Sequence, residues 1–187
     1  MSDTIRPRKL AHIVLRTARF EEVVQWWSTV LGAEPRHESP FLTFLTYDDE
    51  HHRVAVLALP GVQPHVDNLC GLHHVAFTYE NLRDLMHTYN RLKDDHGITP
   101  QFCINHGPTT SMYYFDPDKN QIELQVDNVP EDQFAEYFEN GEFTENPIGV
   151  KFDPDEMTAK LAAGVPEEQL LKRPAGAPPD LKEFPVN

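Results

Sequence analysis

Two cysteines, Cys70 and Cys103, stand among 187 residues. They are too few and too far apart for a disulfide scaffold or a CxxC centre, and their scarcity fits a reducing compartment. Basic side chains are also sparse: 16 Lys and Arg face 30 Asp and Glu, a net charge of −14 at pH 7. Phosphate repulsion would go uncompensated, so no nucleic-acid partner is expected. No run of eighteen apolar residues occurs, and MSDTIRPRK leads into a strand-like segment without an apolar signal stretch. No membrane partner is expected, and the reading is a cytoplasmic protein. What remains, 40% hydrophobic and 25% charged, is the composition of a globule long enough to bury a real core.

The pattern is duplicated. Lys9 to Thr17 alternates like a strand, and Phe20, Val23, Val24, Trp27 and Leu31 recur at helical spacing up to Gly32, a plausible C-cap. Strand candidates follow at Glu34 to Glu38, Phe41 to Tyr47 and Arg53 to Leu59. The order then repeats: a strand over Gly71 to Tyr79, a helix face of Leu82, Leu85, Met86, Tyr89 and Leu92 ending at Gly97, and strands at Thr99 to Ile104, Met112 to Phe115 and Gln121 to Val126. The expectation is an α+β fold of two βαβββ modules, residues 8–60 and 71–128, sharing one catalytic domain over 8–128.

Residues 129–187 read as an extension. Glu131 to Glu139 is a short helix candidate before a loop at Asn140 and Gly141. DPDEMTAKLAAGVPEEQLLKRP offers one or two further short helices with Asp153 or Asp155 as cap, and PAGAPPDLKEFPVN is too proline-rich for regular structure. The tail is expected to cover the rim of the sheets or another subunit.

AHIVLRT and HHVAFTY each place a histidine before the apolar part of a module's first strand. Equivalent first strands would bring His12 and His74 together, with Glu123 arriving on the last strand of the second module. Two imidazoles and one carboxylate are the ligand set of a non-haem Fe(II) oxygenase. Ten histidines are present; His37, His65, His87 and His96 read as ordinary surface or turn groups, and Trp26, Trp27 and Tyr89 as core or interface.

The string from His106 to Glu123, INHGPTTSMYYFDPDKNQIEL around His106, Met112, Tyr113, Asp116, Pro117 and Glu123, closely resembles the signature of the type I extradiol catechol dioxygenases of the vicinal oxygen chelate superfamily. Lys119 departs from it, standing where the family usually has Gly or Pro in a turn. HHRVAVLALP resembles the family's HH segment with its alanine three residues on, and the second histidine of His73-His74 matches a metal ligand. The resemblance covers roughly Lys9 to Val126. It implies a short member with one vicinal oxygen chelate domain around a metal-containing cavity, His12, His74 and Glu123 holding Fe(II), with Mn(II) as the substitute. It makes His52 the acid/base histidine, and His106 and Tyr113 groups bonding the substrate oxygens.

The implied reaction is ring cleavage of a vicinal aromatic diol, such as a 2,3-dihydroxybiphenyl-like catechol, beside the hydroxylated carbons with O2. An exposed sheet edge and the long tail make a homo-oligomer the expectation. Two other functions stay open. One is a metal-dependent isomerase, epimerase or lyase of the same superfamily, whose usual fourth ligand on the last strand of module one has no counterpart in RVAVLAL. The other is a metal-free module that binds aromatic ligands.

Overall fold

The computed structural model describes residues 4–67, 69–139 and 141–183, and the chain forms two compact units, Met1–His65 and Val66–Asn187. In the first, β1 (Ile13–Thr17), α1 (Phe20–Leu31), β2 (Glu34–Glu38), β3 (Leu42–Thr46) and β4 (Val54–Ala58) build a four-stranded sheet ordered β1-β4-β3-β2. Val23, Trp27 and Val30 recur on one face of α1 and are buried, because three- and four-residue spacing stacks side chains above one another. Gly32, at φ 61°, ends the helix in the left-handed conformation that a Cβ disfavours.

The second unit repeats the order with β5 (Val75–Thr78), α2 (Leu82–His96), β6 (Phe102–Asn105), β7 (Thr109–Phe115) and β8 (Gln121–Asp127). Its sheet runs β5-β8-β7-β6 and gains β9 (Val150–Lys151) beyond β6. Asn81 caps α2 by accepting the Asp84 N–H at 2.9 Å. Leu82, Leu85, Met86, Tyr89 and Leu92 form its buried face, as their spacing predicts.

The register makes the duplication quantitative. In each unit the first strand pairs in parallel with the last, Val14 opposite Ala55 and Ala76 opposite Glu123. His12 and His74 each stand directly before their first strand, and the position equivalent to Glu123 is Ala55. Phe44 pairs with Ala55 as Tyr113 pairs with Glu123. One topology thus carries an apolar set in the first unit and a polar set in the second.

The β7–β8 turn explains the departure at Lys119. That residue has φ 65°, the left-handed conformation in which glycine is at ease. Asp116 organises the turn instead, its Oδ1 accepting the N–H groups of Asp118 and Asn120 at 2.9 and 2.8 Å.

The extension starts as a 3₁₀ turn, Glu131–Gln133, that runs into α3 (Phe134–Glu139). Of the expected loop after it, Asn140 lies outside the described residues and Gly141 has φ 91°. α4 (Glu142–Glu145) and the two-residue β9 were not anticipated; β9 exists through pairing with β6, which local pattern cannot announce. α5 (Pro154–Ala162) and α6 (Glu167–Leu170) occupy the expected helical stretch, and Asp153 caps α5 by accepting the Asp155 and Glu156 N–H groups. α5 packs on α2, where Asp155 Oδ1 accepts from Tyr89 Oη at 2.9 Å and Lys93 Nζ at 2.5 Å. The proline-rich end holds one further 3₁₀ turn, Leu181–Glu183. Among the described residues no helix is long and apolar enough to cross a membrane.

Candidate metal centre

The second unit brings four of the six candidate residues into a connected set. Glu123 lies mid-β8 with 5% exposure. A carboxylate removed from water needs partners to stay ionised. Burial pushes its pKa up, but hydrogen bonds from His74 and Ser111 and the charges of His74 and His106 outweigh this and hold it below the ordinary glutamate value. His74 Nε2 is 3.0 Å from Glu123 Oε2. A six-coordinate metal with bonds of about 2.1 Å sets adjacent donors about 3 Å apart, so this pair fits two neighbouring ligand positions.

The other ring nitrogen of His74 supports the same reading. For Nε2 to offer a lone pair to a metal, the ring hydrogen must sit on Nδ1. His73 Nδ1, 2.7 Å away, is the acceptor that can hold it there. His73→Phe is therefore expected to weaken divalent-metal affinity roughly 10- to 100-fold, the usual cost of losing a partner behind a metal ligand. Anaerobic Fe(II) titration measures this, and an unchanged affinity removes His73 from the role.

Tyr113 faces Glu123 across the β7–β8 ladder. Burial, followed by the Glu123 charge and hydrogen bond, pushes its phenol well above the ordinary tyrosine range, so it remains a hydrogen-bond donor. Its hydroxyl is 2.9 Å from His106 Nε2, and His106 Nδ1 is 2.5 Å from the Ile148 carbonyl. Burial pulls the His106 pKa down, favouring the neutral ring. Ser111 was missed in the sequence. It is fully buried on β7 and hydrogen-bonds Glu123; two residues before Tyr113, it shares that residue's face by strand alternation, a signal that could have revealed it.

The first unit holds the other two candidates, His12 and His52, with ring centroids 4.2 Å apart. His52 stacks on Phe44 at 4.2 Å with planes 7° apart, and its Nδ1 is 2.6 Å from His51 Nδ1. Burial and the neighbouring His12 and His51 lower its pKa, which suits a ring that must be neutral to accept a proton. Among the described residues no three His, Cys, Asp or Glu side chains gather as a group able to hold a metal ion. The candidate ligands are divided, His12 in the first unit and His74 with Glu123 in the second. Trp27 and Tyr89 are core residues.

Paired βαβββ modules, with histidines leading the first strands and a carboxylate on the last, define the class: the chain belongs to the Glyoxalase/Bleomycin resistance protein/Dioxygenase superfamily, whose model matches residues 9–124. Among curated proteins it is 45% identical over 164 residues to biphenyl-2,3-diol 1,2-dioxygenase 2 of Rhodococcus globerulus, covering 87% of this chain and 86% of that one. It is 44% identical over 174 residues to biphenyl-2,3-diol 1,2-dioxygenase 3 of the same organism, covering 91% and 90%. Its fold resembles the crystal structure of lactoylglutathione lyase from Agrobacterium tumefaciens, with TM-score 0.52 and 16% identity over 64% of this chain and 94% of that one. A glyoxalase/dioxygenase from Nostoc punctiforme has TM-score 0.51 and 20% identity over 70% and 99%.

Proposed function

We propose that this chain is an extradiol dioxygenase that opens a vicinal aromatic diol of the 2,3-dihydroxybiphenyl type beside its hydroxylated carbons, using O2. The observation that carries the reading is the buried His74–Glu123 pair set beside the Tyr113–His106 pair, in a chain 45% identical to a biphenyl-2,3-diol dioxygenase. His12, His74 and Glu123 would hold a divalent metal, Fe(II) first and Mn(II) in the same ligands. Residues 8–128 are the proposed catalytic domain. When bound, the iron supplies two-point attachment for adjacent hydroxyls and electron transfer between substrate and O2.

The protein's own part is proton management. A catechol must lose protons as it binds, and later chemistry must return one to a departing oxygen. Tyr113, held protonated, hydrogen-bonds a substrate oxygen, and His106 supports that hydroxyl from Nε2 at 2.9 Å. His52, neutral and stacked on Phe44, is the acid/base group on the first unit. Ala55 bears on the competing chemistry. It occupies the register counterpart of Glu123 at 1% exposure, so β4 offers no fourth ligand, and a metal held by three side chains would be free to take exogenous ligands. We place the enzyme in the cytoplasm, as a homo-oligomer.

The test is protein loaded anaerobically with Fe(II), then given 2,3-dihydroxybiphenyl and O2. A new visible absorbance with one O2 consumed per catechol is expected. Stoichiometric iron without O2 uptake on any of a panel of catechols overturns the proposal.

A further inference from the structure

The carboxy-terminal extension reaches the site through one turn. Asn146, 9% exposed, accepts the N–H groups of Ile148 and Gly149 on its Oδ1 at 3.2 and 2.8 Å, and donates from Nδ2 to the Gly149 carbonyl at 3.1 Å. Its own carbonyl accepts from Arg173 Nη1 at 2.8 Å, and the same guanidinium nitrogen reaches the His106 carbonyl at 3.4 Å. The Ile148 side chain packs on Phe102, Ile104 and Tyr113. Gly149, at φ 105°, lies so close that a Cβ would stand 2.3 Å from the Asn105 carbonyl oxygen and 2.6 Å from the His106 Cα. Backbone cannot yield there as a flexible side chain would, so the turn is seated against the strand that leads into His106.

The Ile148 carbonyl, 2.5 Å from His106 Nδ1, can only accept. Nδ1 must therefore carry the hydrogen, and in a neutral ring Nε2 is left as a bare lone pair. That lone pair faces Tyr113 Oη at 2.9 Å. We infer that the Asn146–Gly149 turn, pinned by Arg173, is a clamp that locks His106 in the Nδ1–H tautomer and so sets the direction of the Tyr113–His106 hydrogen bond. Asn146 and Arg173 are its positioning residues. The bare Nε2 thereby competes with Glu123, which also hydrogen-bonds the phenol, for the single Tyr113 O–H; with that hydrogen on the Nε2 side, the phenol oxygen keeps its lone pairs for a substrate hydroxyl. His106 thus meets the substrate through the tyrosine hydroxyl, not as a direct donor to it. The opposite tautomer would break this path, with Nε2–H and the Tyr113 O–H competing as two donors.

The clamp rests on the reading of His106 as a substrate-side group, and the experiment separates the two. Two-bond 1H–15N correlation spectra of the 15N-labelled full chain report each histidine's tautomer whether or not the enzyme turns over, with the His106 signal assigned by its loss in His106→Gln. Wild type is expected to show His106 as Nδ1–H. Asn146→Ala and Arg173→Met are expected to populate the Nε2–H form and to lower kcat on 2,3-dihydroxybiphenyl about tenfold, with KM moving less than about twofold. Asn146→Asp, which keeps the Oδ1 acceptor, should restore most of both. Wild-type His106 found as Nε2–H, or both variants retaining the Nδ1–H form, overturns the clamp. An inactive wild type with His106 clamped as Nδ1–H overturns the functional reading alone.

Discussion

Glu123→Gln is expected to empty the metal site and to abolish turnover while the fold persists. The amide keeps the shape of the side chain but removes the one negative charge among the candidate ligands, leaving His12 and His74 as neutral donors around a doubly charged ion. Structural zinc sites with four donors bind with about 10–16 kcal/mol, roughly 3 kcal/mol per donor. On that scale, losing the charged donor weakens iron affinity by at least about 10²-fold. The readout independent of activity is thermal. Iron that binds only the folded chain stabilises it by about 2.7 kcal/mol at a hundred times its Kd, so anaerobic Fe(II) should raise the melting temperature of wild type and leave Glu123→Gln unmoved. Without metal the two should melt closely together, because the amide can keep the His74 partner at 3.0 Å. An equal Fe(II)-induced shift in both proteins removes Glu123 from the ligand set.

The reason Glu123 could be found in the sequence is also the reason other parts could not. Its carboxylate is buried in β8 between Ile122 and Leu124, on the strand face it shares with Gln121 and Gln125. Such a group has no packing explanation. α1 and α2 end where their apolar spacing and Gly32 and Gly97 say they should, since those signals are local. His12 and His74 were recognisable through the repeated phrase before β1 and β5, which the matched registers Val14–Ala55 and Ala76–Glu123 explain. Strand ends were less legible: Lys9 to Thr17 shortens to Ile13–Thr17, because pairing with β4 begins only at Val54. Ile148 and Asn146 were invisible. The contribution of Ile148 to the site is a backbone carbonyl, which carries no residue identity, and Asn146 acts by shaping that turn from forty residues beyond His106. In RVAVLAL only the lack of a ligand was legible; the register shows Ala55 to be the counterpart of Glu123.

Tyr113→Phe should separate chemistry from metal binding. The substitution removes one oxygen 2.9 Å from His106 Nε2, together with its hydrogen bond to Glu123, and leaves the His74–Glu123 pair itself intact. Iron content and the Fe(II)-induced thermal shift should stay at wild-type values. Turnover should fall about 10²- to 10³-fold, equivalent to roughly 2.7–4 kcal/mol, as when one preorganised donor to a developing oxyanion is deleted. The loss should appear in kcat more than in KM, because the hydroxyl's bond strengthens as the substrate oxygen becomes anionic and contributes less to binding the neutral diol. The stability cost is modest: His106 Nε2 loses its donor in a partly buried site, a penalty of about 1–3 kcal/mol unless water enters. Since His106 reaches the substrate only through Tyr113, Tyr113→Phe and His106→Gln should be non-additive, the double variant falling little below Tyr113→Phe alone. Fully additive losses mean that the two side chains serve the substrate separately. Iron loss in Tyr113→Phe equal to that in Glu123→Gln means that Tyr113 belongs to the metal's support and not to the substrate's.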